Sequence, residues 1–319
     1  MAQYCFGIDV GGTSIKCGLF DTSGKVLDKW EIKTRVEEGG RHILPDVAAS
    51  ILQKTKDASI PAEDVAGIGI GVPGPVNENG EIPCAVNLHW GQKCIEEELR
   101  TLSGYPVKAA NDANVAALGE MWKGGGEGAR NMILVTLGTG VGGGIIVNGR
   151  IVAGAHGAGG EIGHACVDPN EEEACNCGGH GCLEQTASAT GIARVARRML
   201  AQSERTSVLR GQEITAKAVF DAYKEEDQLA ADIVSVFADC LGRALGNFSC
   251  VVDPEVIVIG GGVSKAGDVL IQAIEKSYKK YAFSACRDTP LVLAKLGNDA
   301  GIVGAAKLIL DAVGADCKK

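Results

Sequence analysis

Apolar positions along this chain switch between two periods, and the switch predicts where strands and helices fall. Phe6–Trp30 reads as short apolar runs cut by turn residues: F-G-I-D-V, G-G-T, S-I-K-C-G-L-F, D-T-S-G-K, V-L-D-K-W. That pattern predicts three strands joined by tight turns. Asn131–Val152 repeats it as M-I-L-V-T-L, G-T-G, V-G-G-G-I-I-V, N-G-R, I-V, and both D-T-S-G and N-G favour hairpins. Two such units about half the chain apart predict two related lobes.

Elsewhere the period lengthens. Val47, Ile51 and Leu52 mark one face of a helix over Asp46–Asp57. Further helices are predicted at about Ala113–Lys123, Thr186–Ala201, Ile214–Tyr223, Leu229–Asn247, Ala266–Tyr281 and Ala300–Val313. Strands are predicted at Val65–Val72, Pro106–Ala110, Val256–Gly260 and Leu291–Ala294, with a rigid turn at Pro73-Gly74-Pro75. Alternation of this kind is α/β, with sheets covered by helices. The boundary between lobes is expected in the glycine-rich link at Lys123–Arg130.

The 319 residues suffice for two domains and a large core. A net charge of −9 argues against nucleic-acid and acidic-membrane partners, which call for a basic stripe. The start M-A-Q-Y-C-F-G-I-D carries no signal-peptide pattern, and no apolar run reaches the length of a membrane span. The expectation is a soluble, cytoplasmic enzyme. Of twelve cysteines, Cys5, Cys17, Cys240 and Cys250 lie in apolar patterns and read as small core residues.

Three others differ. Cys175, Cys177 and Cys182 form C-x-C-x4-C downstream of His164, and three thiolates with one imidazole suit a closed tetrahedral zinc site. Gly178, Gly179 and Gly181 let the sulfurs converge. A C-x-C pair bridges poorly as a disulfide, and a nucleic-acid zinc knuckle has its histidine inside the cysteine cluster. Free thiols and an iron site are the remaining alternatives, and Cys166 and His180 are spare donors nearby. Glu161 and Glu184 bracket the segment, although a purely structural knuckle needs neither. The segment therefore reads as a metal-stapled wall of a polar pocket.

Asp9-Val10-Gly11-Gly12-Thr13 and Leu137-Gly138-Thr139-Gly140 both join strand to strand. Backbone N–H groups in such turns form nests for phosphate oxygens, and the threonine hydroxyls add donors. Asp9 is placed to orient water on a magnesium ion, and Lys16 to neutralise phosphate charge. Gly138–Gly143 spells G-x-G-x-x-G but runs into a strand, so it is not a dinucleotide fingerprint, and no Walker-type P-loop occurs. Gly260-Gly261-Gly262 leaves a strand toward a helix and either borders an adenosine or makes a plain turn. Gly297–Gly301 reads as the N-cap of the last helix. Asn111-Asp112 ends a strand and opens a helix, which allows two roles: capping, or projection of Asp112 into the cleft as a proton acceptor with Asn111 toward a polyol.

Taken together, D-V-G-G-T at 9–13, G-V-P-G-P at 71–75, N-D-A-N at 111–114, L-G-T-G-V-G-G-G at 137–144, E-I-G-H at 161–164, C-N-C-G-x-x-G-C-L-E at 175–184 and I-G-G-G at 259–262 carry a resemblance over nearly the whole chain. It is to the ROK family (repressor, open reading frame, kinase), and within it to bacterial glucokinases. The resemblance implies an actin-like ATPase fold, two ribonuclease-H-like lobes with the active site in the cleft between them. It implies a small lobe, 1–122, joined by a C-terminal helix at 300–319, and a large lobe, 123–299, that carries the segment 161–184. The activity implied is ATP-dependent phosphorylation of a hexose 6-hydroxyl, with glucose first and N-acetylmannosamine or another hexose as the alternative.

Carried over residue by residue, Asp112 is the general base, and Asn111, Glu161, His164, Glu184, Gly71 and Pro73 face the sugar. Asp9, Gly11, Gly12, Thr13, Lys16, Gly138, Thr139, Gly140 and Gly260–Gly262 face Mg-ATP, while His164, Cys175, Cys177 and Cys182 hold structural Zn²⁺. His180 stands where Lys or Arg is usual. The family also contains sugar-responsive repressors with a helix-turn-helix ahead of the lobes; a first strand at about Tyr4 and the acidic charge set that expectation aside here. A homodimer or homotetramer, and an alternative donor such as polyphosphate, are further expectations of the family.

Overall fold

The computed structural model describes residues 2–316. Its first sheet contains β1 (Tyr4–Val10), β2 (Ser14–Asp21), β3 (Val26–Lys33), β4 (Val65–Val72) and β7 (Val107–Asn111) in the order β3-β2-β1-β4-β7. The second contains β8 (Met132–Leu137), β9 (Val141–Val147), β10 (Arg150–Ile151), β11 (Val256–Gly260) and β12 (Leu291–Leu293) in the order β10-β9-β8-β11-β12. The two orders are the same: an antiparallel meander followed by two parallel strands. The repeat legible in the chain is thus a repeat of topology. A small ribbon, β5 (Glu81–Ile82) with β6 (Lys93–Cys94), stands apart from both sheets.

The helices are α1 (Glu37–Gly40), α2 (Ile43–Asp57), α3 (Ile95–Ser103), α4 (Asp112–Lys123), α5 (Glu184–Ala187), α6 (Ala189–Gln202), α7 (Ala216–Lys224), α8 (Gln228–Val252), α9 (Asp268–Tyr281) and α10 (Ala300–Asp316). Residues 317–319 of the expected last helix lie outside the described residues. Among the described residues, no helix is long and apolar enough to cross a membrane.

Strand periodicity decides which helix covers which face. In β8, Ile133, Val135 and Leu137 pack with the α6–α9 layer, while Met132 and Leu134 face α4 through Ala117, Leu118 and Met121. In β1, Phe6, Ile8 and Val10 join a core with Ile43, Leu44 and Val47 of α2 and Leu99 of α3. Cys5 turns the other way, onto Ile302, Val303 and Ala306 of α10. Helices α4 and α10 therefore lie between the two sheets. Their approach is set by glycine: a Cβ on Gly69 would lie 1.7 Å from the Ala305 carbonyl oxygen, and one on Gly304 would lie 1.7 Å from that of Val115.

Several boundaries differ from the sequence pattern, each for a local reason. The helix expected over Thr186–Ala201 is two helices, because Ser188 is extended and caps α6, its Oγ accepting from Gly191 N–H at 2.9 Å. Helix α9 starts at Asp268, after Gly267 at φ 81°. Gly297–Gly301 does not supply a side-chain cap; Gly297–Asp299 forms a 3-10 turn that runs into α10. Helix α3 was not anticipated, although Ile95 and Leu99 sit one turn apart.

The backbone contacts at α10 generate a stability prediction. Gly69→Ala is expected to destabilise the fold by about 1–3 kcal/mol, because the new methyl group meets rigid backbone. Gly91→Ala, where a Cβ meets nothing within 4 Å, serves as the near-neutral control. Comparable melting temperatures for the two variants would contradict the close packing of α10 on the first sheet.

Candidate active site

The turn after β8 opens on the space between the two lobes. A cavity of about 850 Å³ lies there, bounded by Val86 and Asn87 from the first lobe and by Thr139, Gly140, His164 and Glu184 from the second. Asp112 is the first residue of α4. Burial lifts its carboxyl to about 6, and the nearby carboxylates of Asp9 and Glu161 push in the same direction. The N–H of Ala113, which donates to Asp112 Oδ1 at 2.8 Å, opposes the rise. Asp9 is raised too, by burial first, with Lys16 pulling it down.

Capping and projection are divided between the two residues of Asn111-Asp112. Asn111 Oδ1 accepts from the N–H groups of Ala113 and Asn114 at 3.0 and 3.1 Å. Its amide nitrogen donates to the Gly74 carbonyl at 3.2 Å. Asn111 thus fixes the start of α4 and ties it to the turn at Pro73–Pro75. Asp112 is thereby relieved of the main capping role. Gly71 is buried in β4, paired with Asp9 on one side and Ala110 on the other, and a Cβ there would touch Val115.

Glu161 precedes, and His164 ends, a 3-10 turn over Ile162–His164. Ile162 is buried, and a Cβ on Gly163 would lie 2.0 Å from the Val141 carbonyl oxygen, so the turn is pressed onto β9. Asn114 Nδ2 donates to the Gly159 carbonyl at 3.2 Å, which couples this loop to the first turn of α4. Asn114 was not anticipated as a site residue; its buried Oδ1 has no partner.

The donor atoms of His164, Cys175, Cys177 and Cys182 all lie within 4.8 Å of one another. A tetrahedral zinc–thiolate site needs sulfurs roughly 3.8 Å apart. Here Cys177 and Cys182 Sγ are 3.6 Å apart, and His164 Nδ1 is 3.9 Å from Cys175 Sγ. The residues fit the metal, and neither Cys166 nor His180 belongs to the group. Burial raises Cys175 to about 12, whereas the Gly179 N–H lowers Cys177. Burying several thiolates calls for a compensating cation. Glu184 Oε1 stands 3.0 Å from Cys175 Sγ, and its other oxygen lies against Gly140, so this carboxylate bridges the cluster and the second glycine turn. Arg194 holds the preceding loop by pairing with Glu171 and Glu173 at 2.7 Å each.

A second cavity of about 310 Å³ lies between Gly262-Val263 and α7, with Ala216 and Phe220 as apolar lining and Lys217 and Lys265 at its edge. Gly261 sits against Leu137 at the end of β8, where a Cβ would come within 2.5 Å of backbone. Ala189 borders this cavity, while Ser188, Thr190 and Gly191 border the cleft, so the N-terminus of α6 joins the two. Thr190 Oγ1 donates to the Thr139 carbonyl at 2.7 Å, and Ala189 N–H donates to that of Gly138 at 2.8 Å. A positive helix end beside a glycine turn suits phosphate. Thr13 is exposed at the first turn, and Lys16 Nζ reaches the Asn298 carbonyl at 3.3 Å. The α6 contribution was hidden because Ser188 falls inside a stretch, Thr186–Ala201, that reads as one continuous helix.

Comparison with known proteins bears on family and fold. The ROK family model matches residues 5–312. A glucokinase of Halalkalibacterium halodurans is 44% identical over 313 residues, covering 96% of this chain and 95% of the relative. The crystal structure of a ROK hexokinase from Thermus thermophilus superposes with a TM-score of 0.81 at 31% identity, covering 98% of this chain and 99% of that one. A ROK family glucokinase from Streptomyces griseus, solved with glucose and AMPPNP, gives a TM-score of 0.73 at 31% identity, covering 96% and 98%.

Proposed function

The chain belongs to the ROK family, and from that premise we propose that it is an ATP-dependent glucokinase whose general base is Asp112. What supports Asp112 as the base is its position at the start of α4 near the carboxylates of Asp9 and Glu161, together with cavities that run from Gly262 past α6 to Gly140.

In this reading the adenine base enters the apolar cavity beside Phe220. The phosphates lie along the α6 N-terminus and the turns Gly11–Thr13 and Gly138–Gly140, with Lys16 near their charge. Asp9 orients the water shell of the magnesium that accompanies ATP. Glu161, His164 and Glu184 grip sugar hydroxyls, and Asp112 accepts the proton of the attacking 6-hydroxyl. Positioning and charge stabilisation do most of the work in phosphoryl transfer. His164 turns Nδ1 toward the cysteines, which leaves Nε2 as a donor of fixed orientation. The bound zinc would supply rigidity to this wall and take no part in the chemistry.

ADP release should be measured against glucose, mannose, fructose, allose, N-acetylglucosamine and N-acetylmannosamine. Glucose is expected to give the highest kcat/KM; a preference for another hexose would replace the substrate and leave the rest standing. Asp112→Asn is expected to lower kcat by roughly 10²–10⁴-fold with sugar binding largely kept.

The raised carboxyl fixes the sign of two pH effects. The base works ionised, so log(kcat/KM) should fall below about pH 6, and that limb should vanish in the variant. The fold favours protonated Asp112, so the penalty is absent below the unfolded value near 3.8, grows as pH rises and is complete above about 6. Asp112→Asn should therefore stabilise the fold at pH 8 by about 1–2 kcal/mol after allowance for partial solvation, and not at pH 4. A variant that is inactive and also less stable at pH 8 would contradict a desolvated base.

Metal removal tests the cluster separately. Chelation should lower the melting temperature and glucose affinity together, because metal binding and local folding are linked. Verified zinc loss with unchanged melting would sink a structural metal.

A further inference from the structure

Glu120 is 1% exposed, the only charged residue among the described ones that is buried outright. Among the described residues it forms no ion pair. Its charge is met by backbone: Oε2 accepts from Gly125 N–H at 2.7 Å and Lys295 N–H at 3.0 Å, and Oε1 from Leu296 N–H at 2.8 Å. Three charge-assisted bonds in a dry setting hold their partners far more firmly than the same bonds in water. The site is also shaped around the carboxylate, since a Cβ on Gly124 would lie 2.0 Å from Glu120 Oε2.

Its place in the fold gives this anchor meaning. The chain passes between the two layers twice. The first passage is Asn111-Asp112, where β7 hands over to α4; the second is Ala294–Asp299, where β12 hands over to α10. The second passage contains Gly297 at φ 53° and a 3-10 turn. Glu120 lies on the last turn of α4, about 12 Å along the axis from Asp112. It therefore ties the helix that begins at the first passage to the backbone of the second. Beyond that passage, the first turn of α10 meets Asp9, where a Cβ on Gly301 would lie 2.5 Å from the Asp9 carboxyl carbon.

We propose that Glu120 is a positioning residue that sets the pivot of lobe closure, holding the second interlobe passage to the helix that bears Asp112 so that Asp112 and Asp9 reach the reacting phosphoryl group in register. The role rests on the sugar-kinase reading of the cleft. A gln side chain at this site would turn a donor toward one of the three N–H groups, loosening the passage without removing bulk. Glu120→Asp keeps both oxygens on a shorter stem. The base cavity beside Phe220 is lined by second-lobe residues alone, and the α6 N-terminus and the turn Gly138–Gly140 lie on the same side, so most of the grip on ADP stays to one side of this pivot.

The test compares Glu120→Gln, Glu120→Asp and the unmodified protein by steady-state kinetics, ADP calorimetry and amide hydrogen exchange with and without glucose. Glu120→Gln is expected to lose on the order of 10²-fold in kcat/KM for glucose, with KM raised and kcat lowered. Its ADP affinity should change by less than about twofold, and Glu120→Asp should recover part of the loss. A purely structural role would lower the melting temperature and leave the glucose kcat and KM in place; that result overturns the proposal.

The unmodified protein gives an independent reading. The amides of Gly125, Lys295 and Leu296 should stay protected on glucose addition, and faster exchange there overturns the pivot whatever the variants do. Failure of the unmodified protein to phosphorylate glucose would count against the proposed function alone, because the exchange of these three amides in Glu120→Gln against the parent, without sugar, still reports whether Glu120 holds the passage.

Discussion

Backbone-to-backbone contact between α4 and α10 is the constraint on which the rest of the molecule depends. A Cβ on Gly119 would lie 2.3 Å from the Ala300 carbonyl oxygen, and one on Gly304 would lie 1.7 Å from that of Val115. No side chain larger than hydrogen fits at either point, so the two helices cross backbone against backbone. Each is also seated on its own sheet: α4 through Ala117, Leu118 and Met121, and α10 through Ile302, Val303 and Ala306. Two five-stranded sheets are thereby joined through a rigid helical pair. Interiors packed to this density change by discrete rearrangement, not by continuous deformation.

That joint also sets the electrostatics of the cleft. Asp112 opens α4, Asp9 lies under the first turn of α10, and α6 starts beside the turn at Gly138–Gly140. Three helix N-termini are thus turned toward the same space, and each carries positive partial charge. They offset part of the cost of holding Asp9, Asp112 and Glu161 close together in a partly desolvated setting. The offset is incomplete, which is why the Asp112 carboxyl stands at about 6. A group with that value is ionised at neutral pH and still basic enough to accept a proton, the compromise a general base requires.

Much of this was legible in the chain. Strands Val65–Val72 and Val256–Gly260 fall where their apolar runs predicted, because strands buried on both faces leave an uninterrupted apolar signature. The repeated strand–glycine–strand unit announced the matching sheets. The grouping of His164 with Cys175, Cys177 and Cys182 was legible because thiolate spacing is a local property. What was hidden is non-local. Ser188 caps α6 inside a stretch that reads as one helix, and nothing near Glu120 in sequence reveals that Lys295 and Leu296 donate to it. The apolar cavity at Phe220 joins α7 to a glycine turn far along the chain, so periodicity within either segment reports only that each is amphipathic.

The two walls of the cleft are built by different means. On the second-lobe side, the turn Ile162–His164 is pressed onto β9, the cysteine segment gathers around a metal-binding geometry, and Arg194 pins its loop through Glu171, which is itself largely buried. Glu161, His164 and Glu184 therefore sit on a surface whose geometry is fixed by packing. On the first-lobe side, the wall is the 3-10 turn at Val86–Leu88, held from beneath by Leu88, with Val86 80% exposed. Preorganisation is thus concentrated on the second-lobe wall. The exposed side answers to the passages at Asn111-Asp112 and Ala294–Asp299, since they govern how the first sheet stands over the second. A side chain that braces one of those passages can therefore act on catalysis without touching substrate, and its influence would be felt by the sugar, shared between both walls, more than by a base seated wholly in one.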